Sequence, residues 1–260
     1  MPVDELLQSI ILGLVQGLTE FIPVSSTAHL ILIPKLFGWQ GTVDTLQFDI
    51  ALHGGTLLAI LIYFRKDWLR LFTSETRLLF YLALATLPAG IVGVLFEDYV
   101  STTLRSPLII AFSLVIFGMF MLYAERYGGK KDLYQSSLAD AFIIGLFQAI
   151  ALIPGVSRSG ITISGGLLRG FERKEAARFS FLLSAPVIGG ATLLEGIKIV
   201  KDPFTINLTQ TIAGFLTAFV SAMLVIRFLL WFFKRFSLKG FVYYRFSLAA
   251  IILLILWLKG

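Results

Sequence analysis

The chain contains no cysteine, which excludes disulfides, thiolate metal sites and a cysteine nucleophile and leaves the redox compartment open. Charge is scarce as well: 15% of the residues are charged, against about 25% in ordinary soluble domains. Histidine occurs only twice, at His29 and His53. No basic stretch precedes the first apolar segment, where Asp4 and Glu5 stand instead, and this argues against a cleaved signal peptide. What the sequence has in excess is apolar surface. Of 260 residues 57% are hydrophobic and the mean hydropathy is +0.86, whereas soluble domains are roughly 45–50% apolar. These values predict an all-α polytopic membrane protein. The net charge of +6 follows from basic loops on one membrane face, so nucleic acid is not an expected partner.

Apolar runs long enough to cross a bilayer occupy about 46–64, 78–96, 107–124, 176–197, 210–233 and 241–258, which predicts six crossings. Two further apolar segments, about 5–33 and 138–168, are each interrupted by proline and clustered hydroxyl residues. Each reads either as a re-entrant hairpin or as a kinked full crossing. Under the re-entrant reading, segments 65–77, 126–131, 169–178 and 234–239 carry 14 basic residues on one face, and Lys35, Arg105, Lys198, Lys201 and Lys259 make 5 on the other. That asymmetry predicts a multi-pass protein with the first face cytoplasmic.

The two interruptions resemble each other. Gly13, Leu14, Gln16 and Ser25 recur 132 positions later as Gly145, Leu146, Gln148 and Ser157. Gly54-Gly55-Thr56-Leu57-Leu58 is similar to Gly189-Gly190-Ala191-Thr192-Leu193-Leu194. Together these predict one membrane domain over 1–260, built as an inverted-topology repeat with halves 1–124 and 138–260, a cytoplasmic connector at 125–137, and hairpin tips meeting near the midplane.

Ionisable groups inside apolar sequence are expensive, so they mark candidate chemistry. Gln16 and Glu20 share a helix face, and Glu20 requires a cation, a metal or a proton. Ser25 is a candidate N-cap of a second helix, on which Ser26 and His29 stand three apart as a hydroxyl and a base. His53, beside Gly54 and Gly55, reads as a packing residue outside the site. In the second interruption Arg158 is flanked by Ser157 and Ser159 and followed by Thr162, a donor-rich set suited to phosphate. Gly13 and Gly17 read as a close-packing pair. Arg227 and Arg245 are expected to snorkel from span ends, and Tyr244 to anchor at an interface.

At these positions the sequence resembles the undecaprenyl-diphosphatase family, the bacitracin-resistance type of integral membrane phosphatase. The resemblance is carried by Gln16-Gly17-Leu18-Thr19-Glu20-Phe21, Pro23-Val24-Ser25-Ser26-Thr27-Ala28-His29, Pro154-Gly155-Val156-Ser157-Arg158-Ser159-Gly160-Ile161-Thr162, Phe179-Ser180-Phe181-Leu182-Leu183 with Pro186, and Tyr244-Arg245-Phe246. It implies hydrolysis of a polyprenyl diphosphate to the monophosphate and inorganic phosphate, recycling a cell-wall lipid carrier and conferring bacitracin resistance. It also implies two re-entrant hairpins, a site open to the outer face of the cell membrane, often a homodimer, and a divalent cation such as Mg²⁺ or Ca²⁺ with no organic cofactor. On that reading Ser26, His29, Glu20 and Arg158 are catalytic, Gln16, Ser25, Ser157, Ser159 and Thr162 bind substrate, and Glu20 with Gln16 holds the metal. Gln16 stands where the family more often has glutamate, which weakens a two-carboxylate metal site, and Ala28 replaces a frequent glycine. The same inverted-repeat site also suits a secondary transporter or lipid flippase, which phosphate release would distinguish.

Overall fold

The structure is a computed structural model describing residues 4–96, 99, 103–201 and 207–259; the side chains of Lys198, Lys201 and Lys259, counted in the charge tally, lie outside the described residues. Eleven longer helices are described: α1 (Glu5–Thr19), α2 (Ser26–Phe37), α3 (Leu46–Tyr63), α4 (Arg65–Thr73), α5 (Thr76–Leu95), α6 (Pro107–Ala124), α7 (Leu138–Ile150), α8 (Arg158–Leu168), α9 (Arg173–Lys201), α10 (Leu208–Phe232) and α11 (Lys239–Lys259). Among the described residues no strand forms beyond one isolated bridge between Lys131 and Phe171.

Six segments are long and apolar enough to cross a membrane: Leu46–Tyr63, Thr76–Leu95, Pro107–Tyr127, Arg173–Leu194, Leu208–Phe232 and Lys239–Leu258. They agree with the six runs read from hydropathy. The helices α1, α2, α7 and α8 have 15, 12, 13 and 11 residues, or about 17–23 Å of rise, too short for a crossing of about 30 Å.

Helices exchange partners between the two halves of the chain. The first helix of the first half, α1, lies along α10, while its counterpart α7 lies along α5; α6 pairs with α11, and α3 packs on both α9 and α10. Small residues permit the close approaches. A Cβ on Gly145 would meet the Ala85 carbonyl oxygen at 2.7 Å, and one on Gly17 would run into Ser221 and the Ala218 carbonyl. Away from these seams the surface carries Leu87, Ile91, Phe112, Ile116 and Leu224, all more than half exposed, as a lipid-facing exterior requires.

The connector is packed rather than loose. Glu125 accepts bonds from Arg173 and from the Leu238 amide, Leu133 is fully buried, and Asp140 pairs with Lys131 and with Arg169. Absence of apolar periodicity in 125–137 reflects two short 3₁₀ turns, Glu125–Tyr127 and Leu133–Gln135, whose few residues cannot display a helical repeat.

Arg245 differs most from its sequence reading. It does not snorkel: its side chain is 0% exposed, because every donor has a carbonyl to reach. Nε donates to Leu114 at 3.2 Å, one terminal nitrogen to Val156 at 3.0 Å and Pro23 at 3.4 Å, and the other to Gly155 at 2.8 Å and Ser113 at 3.4 Å.

Two substitution pairs test this packing by thermal unfolding in detergent. Gly17→Val is expected to lower stability by about 1–3 kcal/mol through overpacking, whereas Gly190→Ala, whose added carbon meets nothing within 4 Å, is neutral or slightly stabilising. Arg245→Lys leaves three donors for five carbonyls and costs about 2 kcal/mol or more; Arg227→Lys, on the exposed side of α10, costs little.

Candidate active site

Both interruptions are built alike. α1 ends at Thr19, a turn containing Pro23 follows, and Ser25 precedes α2; α7 ends at Ile150, a turn containing Pro154 follows, and Ser157 precedes α8. Ser25 has φ 75° and Ser157 φ 74°, the two positive-φ residues other than glycine among the described residues. Such a conformation costs of order 1–3 kcal/mol and persists when surroundings enforce it. Here capping does so. Ser25 Oγ accepts from the Ala28 amide at 3.4 Å, and Ser157 Oγ from the Gly160 amide at 3.2 Å.

Cross-bonds lock the two turns to each other. Ser25 Oγ also accepts from the Gly155 amide at 3.2 Å, and Ser159 Oγ donates to the Ile22 carbonyl at 3.3 Å. In consequence the first residues of α2 and α8, Ser26 and Arg158, meet around Glu20. Ser26 Oγ donates to Glu20 Oε2 at 2.7 Å, Gln16 Nε2 donates to the same oxygen at 3.1 Å, and Arg158 donates to Oε1 at 3.0 Å. Glu20 is 7% exposed and the Arg158 side chain 12%. A second Arg158 nitrogen donates to the Ser180 carbonyl at 2.9 Å. Thr162 Oγ1 donates to the Arg158 carbonyl at 2.7 Å and lies 2.6 Å from Ser180 Oγ, so Thr162 and Ser180 brace the arginine from behind.

These groups border a cavity of about 320 Å³ lined by Glu20, Ser25, Ser26, Ser157 and Arg158, with an apolar side from Leu30, Leu46, Ile50, Ile188 and Ala191. Gln16, Ser159 and Thr162, expected at the substrate, stand behind this lining. His29 also lies off the cavity wall: its Nδ1 is 2.7 Å from the Ser25 carbonyl and its Nε2 2.7 Å from Tyr244 Oη. The carbonyl can only accept, so Nδ1 carries the proton and the ring is aimed at α11. Tyr244, about half exposed, is bound to His29, a partner that its sequence reading as an interfacial anchor did not include. The group at hydrogen-bond distance of the Ser26 hydroxyl is Glu20, six residues away across the turn.

Three residues that sequence reasoning set aside or passed over line the same cavity: Asp49, His53 and Arg105. His53 Nε2 stands 3.9 Å from Glu20 Oε2. Asp49 and His53 are one turn apart on α3, a spacing that was visible, but nothing local indicated that this face meets Glu20.

Similarity to known proteins agrees with the geometry. The chain matches the family described as "Bacitracin resistance protein BacA" over residues 9–251. It belongs to this family. Relatives include undecaprenyl-diphosphatases of Thermodesulfovibrio yellowstonii, 48% identical over 257 residues with 99% of this chain and 100% of the relative covered, and of Desulforudis audaxviator, 48% identical with 97% and 98% covered. One from Moorella thermoacetica is 48% identical over 97% of this chain and 98% of the relative.

The donor set of this BacA-family site fits a divalent cation only in company with phosphate. No group of three or more His, Asp or Glu side chains converges among the described residues, but Gln16 Oε1 is buried without a partner, and turning over the Gln16 amide, whose Nε2 now donates to Glu20, would set that oxygen beside the carboxylate. One carboxylate, one neutral oxygen and substrate phosphates are a donor set that Mg²⁺ accepts.

The Glu20–Arg158 pair yields a coupled prediction. Arg158→Met strands a buried carboxylate and lowers stability by roughly 3–5 kcal/mol. Adding Glu20→Gln in that background restores part of the loss, and a thermal-unfolding double-mutant cycle in detergent reads the coupling, about 0.5–3 kcal/mol.

Proposed function

We propose that the chain hydrolyses undecaprenyl diphosphate, the substrate named for its relatives, to the monophosphate and inorganic phosphate. The observation that carries this reading is a serine hydroxyl bonded to a buried carboxylate whose other oxygen holds an arginine, on a cavity in a membrane-embedded helical bundle. A hydroxyl with a base at 2.7 Å has the geometry of an activated nucleophile, and an arginine beside it suits a phosphoryl group. Return of the lipid carrier to cell-wall glycan synthesis, and resistance to bacitracin, fit this activity and the family's description.

Arg158 spends one terminal nitrogen on Glu20 and the other on the Ser180 carbonyl, which fixes its plane and leaves further N–H donors for phosphate oxygens. Ser26 Oγ attacks the terminal phosphorus and its proton passes to Glu20. As the Oγ–P bond forms, the bridging P–O bond breaks and its electron pair leaves with the polyprenyl phosphate. Water then attacks the phosphoserine; Glu20 returns the proton to Ser26 Oγ, and inorganic phosphate departs. Arg158 stabilises the charge spread over the transferred oxygens in both steps. A divalent cation held by Glu20 and Gln16 Oε1 would neutralise phosphate charge. His29, fixed between Ser25 and Tyr244, positions the start of α2 and hence Ser26.

The same reading takes the two broken segments as re-entrant hairpins of an inverted repeat in the cell membrane. The exchange of α1 with α10 against α7 with α5 supports the repeat, as do the paired positive-φ serines. The 14 to 5 distribution of basic residues supports a cytoplasmic connector and a cavity open to the opposite face. A homodimer belongs to this reading on the strength of the resemblance.

Purified protein in detergent is expected to release phosphate from a polyprenyl diphosphate when Mg²⁺ or Ca²⁺ is supplied, and to lose this on chelation. Arg158→Ala and Ser26→Ala are each expected to reduce kcat by about a hundredfold or more, and a rapid acid quench traps phosphoserine at Ser26. Full activity in Ser26→Ala overturns the covalent route; lipid movement in liposomes without phosphate release overturns hydrolysis itself.

A further inference from the structure

One wall of the cavity holds ionisable groups that the reaction above does not use. Asp49 and His53 project from α3, and Arg105 ends the 3₁₀ turn Thr103–Arg105 that leads into α6; all three border the space that Ser26 and Arg158 border. His53 Nδ1 is 2.7 Å from the Asp49 carbonyl oxygen, so Nδ1 carries the proton and Nε2 is left facing Glu20 at 3.9 Å. The Arg105 guanidinium stands 3.9 Å from Asp49 Oδ2, beyond hydrogen-bond distance.

We infer that Asp49, His53 and Arg105 form a second phosphate subsite, in which Arg105 grips the phosphate of the diphosphate that is not attacked. The inference rests on the cavity's being a diphosphate site and assigns its second half. The chemistry is duplicated along one wall: Arg158 beside Glu20, then His53, then Arg105 beside Asp49. A diphosphate presents two adjacent anionic groups, and two arginines on one cavity match them.

The two arginines differ in how far they are committed. Arg158 is held at 3.0 Å and 2.9 Å by two partners. Arg105, with a side chain 40% exposed, has one long ion pair and no hydrogen bond to a described residue, so its five donors remain available to an incoming anion. Asp49 orients Arg105 without saturating it. With the terminal phosphoryl group between Ser26 and Arg158, the lipid-bearing phosphate reaches toward Arg105. Charge from the breaking P–O bond develops on that phosphate, so Arg105 serves binding and departure together and favours a diphosphate over a monophosphate.

The test uses the purified full chain and two non-hydrolysable ligands, farnesyl methylenediphosphonate and farnesyl phosphonate, with binding measured by calorimetry. Arg105→Gln is expected to weaken the diphosphonate by about ten- to a hundredfold and the monophosphonate by less than about twofold. Retained binding of the monophosphonate reports an intact fold. If Arg105→Gln does not fold, Arg105→Lys is used instead, with an expected loss of about threefold or more on the diphosphonate alone, since an ammonium cannot make a bidentate contact. Equal losses on both ligands, or none on the diphosphonate, overturn the subsite while leaving hydrolysis standing. A wild-type chain that binds neither ligand and releases no phosphate overturns the proposed hydrolysis and the subsite with it.

Discussion

A buried guanidinium gathers the two proline turns and α6 around one point. Unwinding a helix inside a bilayer strands carbonyl groups that water cannot reach, and burying an arginine strands a charge. Arg245 resolves both costs at once: its five N–H groups meet five carbonyls, those of Pro23, Gly155 and Val156 in the two turns and of Ser113 and Leu114 on α6. The partners are neutral, so the positive charge is solvated by dipoles in place of a carboxylate. Glu20 is therefore left to Arg158, and the carbonyls that Arg245 gathers add to the side-chain cross-bonds of Ser25 and Ser159 in fixing the turns.

On that frame the chemistry is divided unequally. Related local folds, each a short helix, a proline turn, a strained serine cap and a second short helix, deliver different first residues: Ser26 from one and Arg158 from the other. Glu20 is the meeting point, and both of its oxygens are occupied by groups brought from opposite interruptions. Gln16 and Gln148, 132 positions apart, have different partners. Gln16 bonds the Glu20 carboxylate, whereas Gln148 bonds the Ala85 carbonyl at 3.1 Å.

Much of this was legible in the sequence, and the exceptions share a cause. Six crossings follow from long apolar runs because bilayer thickness imposes length on composition. Gln16, Glu20, Ser26 and Arg158 stand out because polar groups in apolar sequence are rare. Pairings that cross between elements left no local trace. The spacing of Ser26 and His29 suggested a nucleophile and its base, yet the carbonyl one turn before His29 captures its Nδ1 and turns the ring toward Tyr244. His53 looked like a packing residue because its neighbours are glycines, and only the approach of α3 to α1 brings it within 3.9 Å of Glu20. Arg245 near the start of α11 had the profile of a snorkelling residue, and nothing in its surroundings announced carbonyls contributed by residues 89 to 222 positions earlier.

The pairing of α1 with α10 bears on how the protein is made. α1 leaves the ribosome well ahead of α10, which begins 189 residues after α1 ends. At about 5–20 residues per second, α1 waits roughly ten to forty seconds for the surface it packs on. For most of that interval Glu20 has no Arg158 to pair with, and until its end Gly17 has no seam to pack into. Sequence order thus makes the Glu20–Arg158 pairing a late event, and the packing of α1 against α10 a later one.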